Sequence, residues 1–224
     1  MALATRLVEK LGRQLRRPTG RLGSLLGHVM AWEHRALALW GIDLLDPSEG
    51  DSVLDVGCGG GMTVKALAKR TAVGLVVGVD HSEVMVRQAQ RRNRRLIDSG
   101  RVDVRLADAT SLQFGDRRFD AVISIESFQF WSDPVAGLRE IRRVLRPGGR
   151  LALVFETRSE FRTRESRELT AELLGAELYS GSDVTRLLAT SGFGSARFEE
   201  RTRGRGNWLC ALALARKPLG SAHA

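Results

Sequence analysis

Apolar residues fall into two kinds of run along this chain. Near the N-terminus they recur at helical period: Leu3, Leu7, Leu11 and Leu15, a break at Pro18 to Gly20, then a second helical stretch over 22–45 with Leu25, Leu26, Val29, Met30, Leu37, Trp40 and Leu44. Past the loop at 47–50 the pattern becomes short continuous apolar runs alternating with amphipathic segments. Strands are predicted at 52–56, 73–79, 102–107, 119–125 and 151–155, and helices at 62–70, 82–99, 133–146, about 165–176, and 183–191. Ser82 and Asp133 stand at helix N-caps, with Glu83 in the first turn of one helix and Pro134 opening the other. Pro147-Gly148-Gly149 reads as a turn. Residues 197–202 and 207–215 close the pattern as two strands a short loop apart.

Apolar-run strands alternating with helices imply a parallel sheet covered on both faces. The last two strands should pair antiparallel at one edge. The expected fold is α/β and Rossmann-like: a seven-stranded, mostly parallel sheet with an antiparallel edge strand and an N-terminal helical extension. The organisation expected is an extension or cap over 1–46, one domain over 47–217 and a tail over 218–224.

The composition fits one such domain. The 224 residues are 43% hydrophobic and 27% charged, enough for a core. Lys and Arg number 35 against 26 Asp and Glu, a net charge of +9, and only four of the 35 are Lys. Two Cys exclude a disulfide framework or a thiolate cluster, and the four His lack zinc-site spacing, so no metal is expected. No apolar run reaches membrane-spanning length and no leader-like core follows the basic N-terminus, so a cytoplasmic location is expected.

In open α/β sheets the ligand lies beyond the carboxyl ends of the strands. The first such end reads Asp55-Val56-Gly57-Cys58-Gly59-Gly60-Gly61. Glycines there let backbone approach a ligand closely. Gly57 and Gly59 fit a dinucleotide fingerprint, but Met62 takes the place of its third glycine, and Asp55 would repel a pyrophosphate. A phosphate-free nucleoside, cationic if anything, suits this loop better. Asp80 ends the second strand 23 residues after Gly57, where an acid commonly accepts from ribose hydroxyls, and Asp108 ends the third. Three acids at neighbouring strand ends make an electronegative crevice.

These segments resemble the class I S-adenosylmethionine-dependent methyltransferases, in the small-molecule group of methyltransferase type 11. Val53 to Gly61 resembles the first motif, and Gly78-Val79-Asp80-His81-Ser82 with Met85 the second. Leu106-Ala107-Asp108-Ala109 resembles the adenine-binding segment, and Arg142 to Gly149 the turn before strand five. The resemblance implies that Gly57, Gly59 and Gly61 make room for the methionine part of S-adenosylmethionine. It further implies that Asp55 holds the ammonium, Asp80 takes the ribose hydroxyls and His81 and Met85 flank the adenine. Asp108 and the Ala109 backbone would meet the adenine edge, and Ser124 would offer backbone near the methionine end. Cys58 is a small loop residue beside them, and Cys210 is expected in the core.

The acceptor side is expected between the segment after strand four and the N-terminal helices. Glu126 is the leading candidate for a base or an amine-binding anion, with Phe128, Gln129 and Trp131 beside it; the plainer reading puts Phe130 and Trp131 in the core. His28 and Trp32 are four apart and share a helix face, while His34 is a second candidate base. The reading is methyl transfer by in-line displacement to a small secondary-metabolite-like or lipid-like acceptor. Alternatives are an RNA-directed methyltransferase and a non-catalytic S-adenosylmethionine-binding protein. Nucleic acid is disfavoured because the arginines are spread over several segments. Peripheral membrane contact through the basic N-terminal segment stays open, as does the choice between monomer and homodimer.

Overall fold

The computed structural model describes residues 12, 14, 16–158, 176–194, 196–203 and 206–215. Its strands are β1 (Val53–Val56), β2 (Val76–Asp80), β3 (Val102–Leu106), β4 (Phe119–Ile125), β5 (Leu145–Arg158), β6 (Arg197–Arg203) and β7 (Gly206–Leu214). They form one sheet in the order β3-β2-β1-β4-β5-β7-β6. β1 to β5 are parallel, and β7 runs antiparallel between β5 and β6. The antiparallel strand thus lies one place in from the edge, which β6 forms. The chain winds outward both ways from β1 and β4, and that reversal opens a crevice at their carboxyl ends.

Among the described residues, the helices flanking the sheet are α1 (Gly20–Glu33), α2 (Arg35–Leu45), α3 (Met62–Arg70), α4 (Glu83–Asp98), α5 (Pro134–Val144) and α6 (Gly181–Thr190). Alternation along the strands divides the core. Val53, Ile123 and Val154 face one layer, with Leu37 and Ile42 of α2, Leu67 of α3 and Val86 of α4. Leu54, Val122 and Leu153 face the other, with Leu138 and Ile141 of α5 and Leu188 of α6. Gly41 lets α2 lie close on β5, since a β-carbon there would meet Val154 Cγ2 at 2.7 Å. The rings of Trp40 on α2 and Trp208 on β7 pack at a tilt of 44° with centroids 5.8 Å apart. Cys210 is buried in this layer, as expected.

Several boundaries differ from the expectation for local reasons. The stretch 22–45 is two helices, because His34 leaves helical geometry (φ −83°, ψ 3°), with no Gly or Pro to announce it. The second strand starts at Val76, because Gly74 packs against Asp51 in a turn and leaves Val73 exposed. Leu145 already pairs with Phe119, so β5 runs through Pro147-Gly148-Gly149, with an irregularity opposite Asp120. The expected helices over 1–15 and about 165–176 fall largely outside the described residues. Ser82 caps α4 by accepting from Met85 N–H, and Asp133 caps α5 through Ala136 N–H at 2.9 Å.

Candidate active site

The glycine loop leaves β1 through residues held at positive φ: Gly57 (78°), Gly59 (50°) and Gly61 (73°). Gly57 and Cys58 donate their N–H groups to Val79 O, which fixes the loop to β2. The Asp80 carboxylate reaches back, its Oδ2 accepting from Gly59 N–H at 2.9 Å and its Oδ1 from Ser82 N–H at 2.8 Å. Burial raises its pKa, while those two N–H groups and His81 pull it down. Asp55 is 1% exposed, and its Oδ2 has no hydrogen-bond partner among the described residues. Burial first, and then the Asp80 charge, push its pKa up to about 8. The structure therefore holds a buried carboxyl at the end of β1 with no counter-ion among the described residues, beside backbone left open by glycines. Those features fit the positively charged methionine end of S-adenosylmethionine.

Two adjoining cavities open here. The inner, of about 120 Å³, is lined by Asp55, Gly57, Cys58, Gly59, Asp80, His81 and Met85, and also by His34 of α1–α2, Met30 of α1, Ile125, Glu126 and Ser127. The outer, of about 790 Å³, is lined by Gly57, Asp80, His81, Asp108, Ala109, Ser127, Phe130 and Trp131. Asp108 is held by Thr110, whose N–H and hydroxyl both donate to Oδ1. Burial opposes ionisation of Asp108, but Thr110, His81 and Arg17 together keep its pKa below the usual value.

Glu126, just beyond β4, has φ 49°, a left-handed conformation that costs of order 1–3 kcal/mol in a non-glycine residue. Its Oε1 accepts from Glu156 N–H and its Oε2 from Gln129 Nε2 at 3.0 Å. Burial raises its pKa, and His34 opposes that rise. The two candidate bases, Glu126 and His34, thus line one cavity together with Asp55.

The other expected residues divide. Ser124 is fully buried with an unpartnered hydroxyl and lines neither cavity, and Gly61 is pressed against Ala89 and Asn93 as the residue before α3. Phe128 is a core residue, its ring edge-on to Trp131 and 4.7 Å from that of Tyr179. Gln129 lines neither cavity and touches the site through Glu126. Trp131 borders the outer cavity and donates to Ser127 Oγ at 3.1 Å. His28 and Trp32 line neither cavity: His28 Nδ1 lies by Ser24 O and Gln88 Nε2, and Trp32 is 78% exposed. Sequence reasoning missed Ser127, Met30 and Arg16, all on cavity walls. For Met30, its place one helical turn before His34 was the available signal.

Residues 54–153 match the methyltransferase domain family. An uncharacterized methyltransferase of Bacillus subtilis, YdaC, is 33% identical over 138 residues, covering 60% of this chain and 72% of that protein. The O-methyltransferase cnsE of Penicillium expansum is 36% identical over 151 residues, 66% of this chain and 54% of its own. Among solved structures, the [4+2]-cyclase SpnF superposes with a TM-score of 0.69 at 25% identity, over 83% of this chain and 81% of that one. The chain belongs to the class I S-adenosylmethionine-dependent methyltransferase family. It spans about a third to about a half of the length of other curated relatives it matches. Among the described residues, no group of three or more His, Cys, Asp or Glu could hold a metal, and no helix is long and apolar enough to cross a membrane.

Proposed function

We propose that this chain transfers a methyl group from S-adenosylmethionine to a small-molecule acceptor whose reacting end enters the inner cavity. S-adenosylmethionine supplies, when bound, a methyl group on cationic sulfur, an electrophile that needs alignment more than activation. Asp55 provides the counter-charge for the ammonium, and Gly57 and Gly59 provide the open backbone beside it. Asp80 turns from its loop contacts toward the ribose hydroxyls. His81 and Met85 flank the adenine, whose edge meets Asp108 and Ala109. Ile125, Met30 and Ala38 keep water from the reacting atoms.

Glu126 and His34 accept the proton that an oxygen or nitrogen acceptor gives up. A carboxyl with a raised pKa is the stronger base once ionised. The observation that carries this reading is the convergence of both candidate bases with Asp55, whose buried Oδ2 has no hydrogen-bond partner among the described residues, on the wall of one cavity. A cavity of only about 120 Å³, walled on one side by α1, also favours a small acceptor or the tip of a larger one over a polymer. A relative named as an O-methyltransferase adds support for oxygen as the methylated atom.

Calorimetry tests the cofactor half. The parent should bind S-adenosylmethionine at about micromolar Kd, and Asp80→Ala should weaken binding at least about tenfold, near 1.4 kcal/mol; equal affinities would overturn the assignment. A screen of small phenolic and amine acceptors, read by release of the demethylated cofactor, tests the other half. Binding without turnover on any acceptor would favour the non-catalytic reading.

A further inference from the structure

α1 packs the wrong way round for an ordinary amphipathic helix. Its inward face carries glycines: a β-carbon on Gly23 would meet Pro18 backbone at 2.7 Å, and one on Gly27 would meet Met85 Cε at 2.6 Å. Met30 and His34 continue that face into the inner cavity. Four other large apolar side chains point the other way. Leu22, Leu25, Val29 and Trp32 follow one another at spacings of three, four and three, which places them on a single stripe. They are 49%, 63%, 47% and 78% exposed. An isolated exposed Leu needs no explanation, but a continuous stripe ending in a largely exposed Trp does.

Positive charge stands at both ends of the stripe. Arg21 and Arg35 are exposed near its two ends, against the single acid Glu33, whereas Arg16 and Arg17, also exposed, lie on the cavity side. Residues 1–21 carry six basic residues and one acid, Glu9. An apolar helix face with an interfacial Trp and flanking arginines is the combination that binds the surface of an anionic bilayer: the apolar groups enter the headgroup boundary while the cations stay with the lipid phosphates.

We propose that the Leu22–Leu25–Val29–Trp32 stripe of α1 docks on an anionic lipid surface, which sets the opposite, cavity-lining face of the same helix directly above the membrane. This docking is independent of the methyl-transfer assignment. An acceptor dissolved in or bound to the bilayer would then reach the inner cavity along α1, past Met30 and His34. Pairing with a second copy explains the surface less well, because the arginines near both ends of the stripe would be drawn into the joint.

The test uses the full chain and vesicles of phosphatidylcholine, with and without phosphatidylglycerol, read by co-sedimentation. The parent should bind the anionic vesicles, release them in high salt and bind the neutral ones far more weakly. Leu25→Glu and Val29→Glu should each lower binding by about tenfold or more, and Arg21→Glu should lower it as well. Each variant should keep the parent's S-adenosylmethionine affinity and melting temperature, which shows that it is folded. Emission attributable to Trp32, taken as parent minus Trp32→Phe, should shift to the blue with anionic vesicles. Equal sedimentation of parent and Leu25→Glu would overturn the proposal. So would equal binding of the parent to neutral and anionic vesicles, or a dimer by light scattering that Leu25→Glu dissociates while no variant changes vesicle binding.

Discussion

Gly57 and Ser127 approach so closely that a β-carbon on Gly57 would lie 1.8 Å from Ser127 Oγ and 2.4 Å from Ser127 Cβ. The loop after β1 and the loop after β4 therefore meet on the wall that the two cavities share. Gly57 also has φ 78°, so a side chain is excluded twice over, by conformation and by contact. Gly57→Ala should lower S-adenosylmethionine affinity at least about tenfold and destabilise the fold by about 1–3 kcal/mol. Ser127→Ala in that background should restore little, because the Ser127 β-carbon still blocks the space. Calorimetry on both variants and the parent checks this.

Asp55 gives the site a definite pH response. Its folded pKa of about 8 is raised by burial and by Asp80 above a usual value of 3.8. Its contribution to stability is therefore fully present below the unfolded pKa and is lost as pH rises through 8. Asp55→Asn removes that loss, so between pH 6 and pH 9 the melting temperature of the variant should fall less than the parent's. A bound cation favours the carboxylate, so binding S-adenosylmethionine near pH 7 should release a proton. Affinity should then climb by up to about tenfold per pH unit until it levels off near pH 8. Calorimetry in buffers of differing ionisation enthalpy measures that proton directly, and Asp55→Asn should abolish it.

Glu126 uses both carboxylate oxygens as acceptors, from Glu156 N–H and Gln129 Nε2. Glu126→Gln replaces one acceptor with a donor and removes the proton-accepting charge. Once an acceptor is in hand, turnover should drop by about 100-fold or more, while cofactor affinity stays within about threefold. Gln129→Leu should give an intermediate loss, because Gln129 orients Glu126 from outside the cavities. Steady-state rates set beside calorimetric affinities separate the two effects.

Arg143 on α5 holds the segment that follows the adenine-side strand. It donates to Leu112 O and Phe114 O, to Asp116, and twice to Glu140, whose Oε2 also accepts from Leu112 N–H. Glu140 foremost, and then Asp116, raise the guanidinium pKa. Lysine cannot reproduce the planar fork. Arg143→Lys should cost about 1–3 kcal/mol in denaturant unfolding, with the region around Asp108 showing the largest rise in amide exchange.

The order of elements was legible because β1, β2, β4 and the 151–155 part of β5 are largely apolar runs ended by an acid or glycine, and each capped helix announces its start. The division of 22–45 at His34 was not, since a dihedral change without Gly or Pro leaves no mark in composition. Position along the chain pointed to Asp55, Asp80 and the glycines, since a strand's carboxyl end is fixed once the strand is recognised. Side-chain direction was less accessible. Trp32 and His28 lie on the helix that walls the cavity yet line neither cavity, because α1 packs through its glycines rather than its large residues. Phe128 looked like an acceptor contact and is core, because Trp131 and Tyr179 close around it. Ser127 escaped notice because its importance is a distance to Gly57, 70 positions earlier.

The position of β7 bears on how the protein is born. A nascent chain leaves the ribosome with β5 complete but with one edge unpaired, and that edge stays open until residues 206–214 have emerged to lie along it. Only then does Trp208 arrive beneath Trp40 and give the α2 end of the N-terminal wall its aromatic footing. The first part of the site to be synthesised is thus among the last to be seated, and a ribosome stalled before Gly206 would display a sticky strand and an unanchored helix to every chaperone in reach.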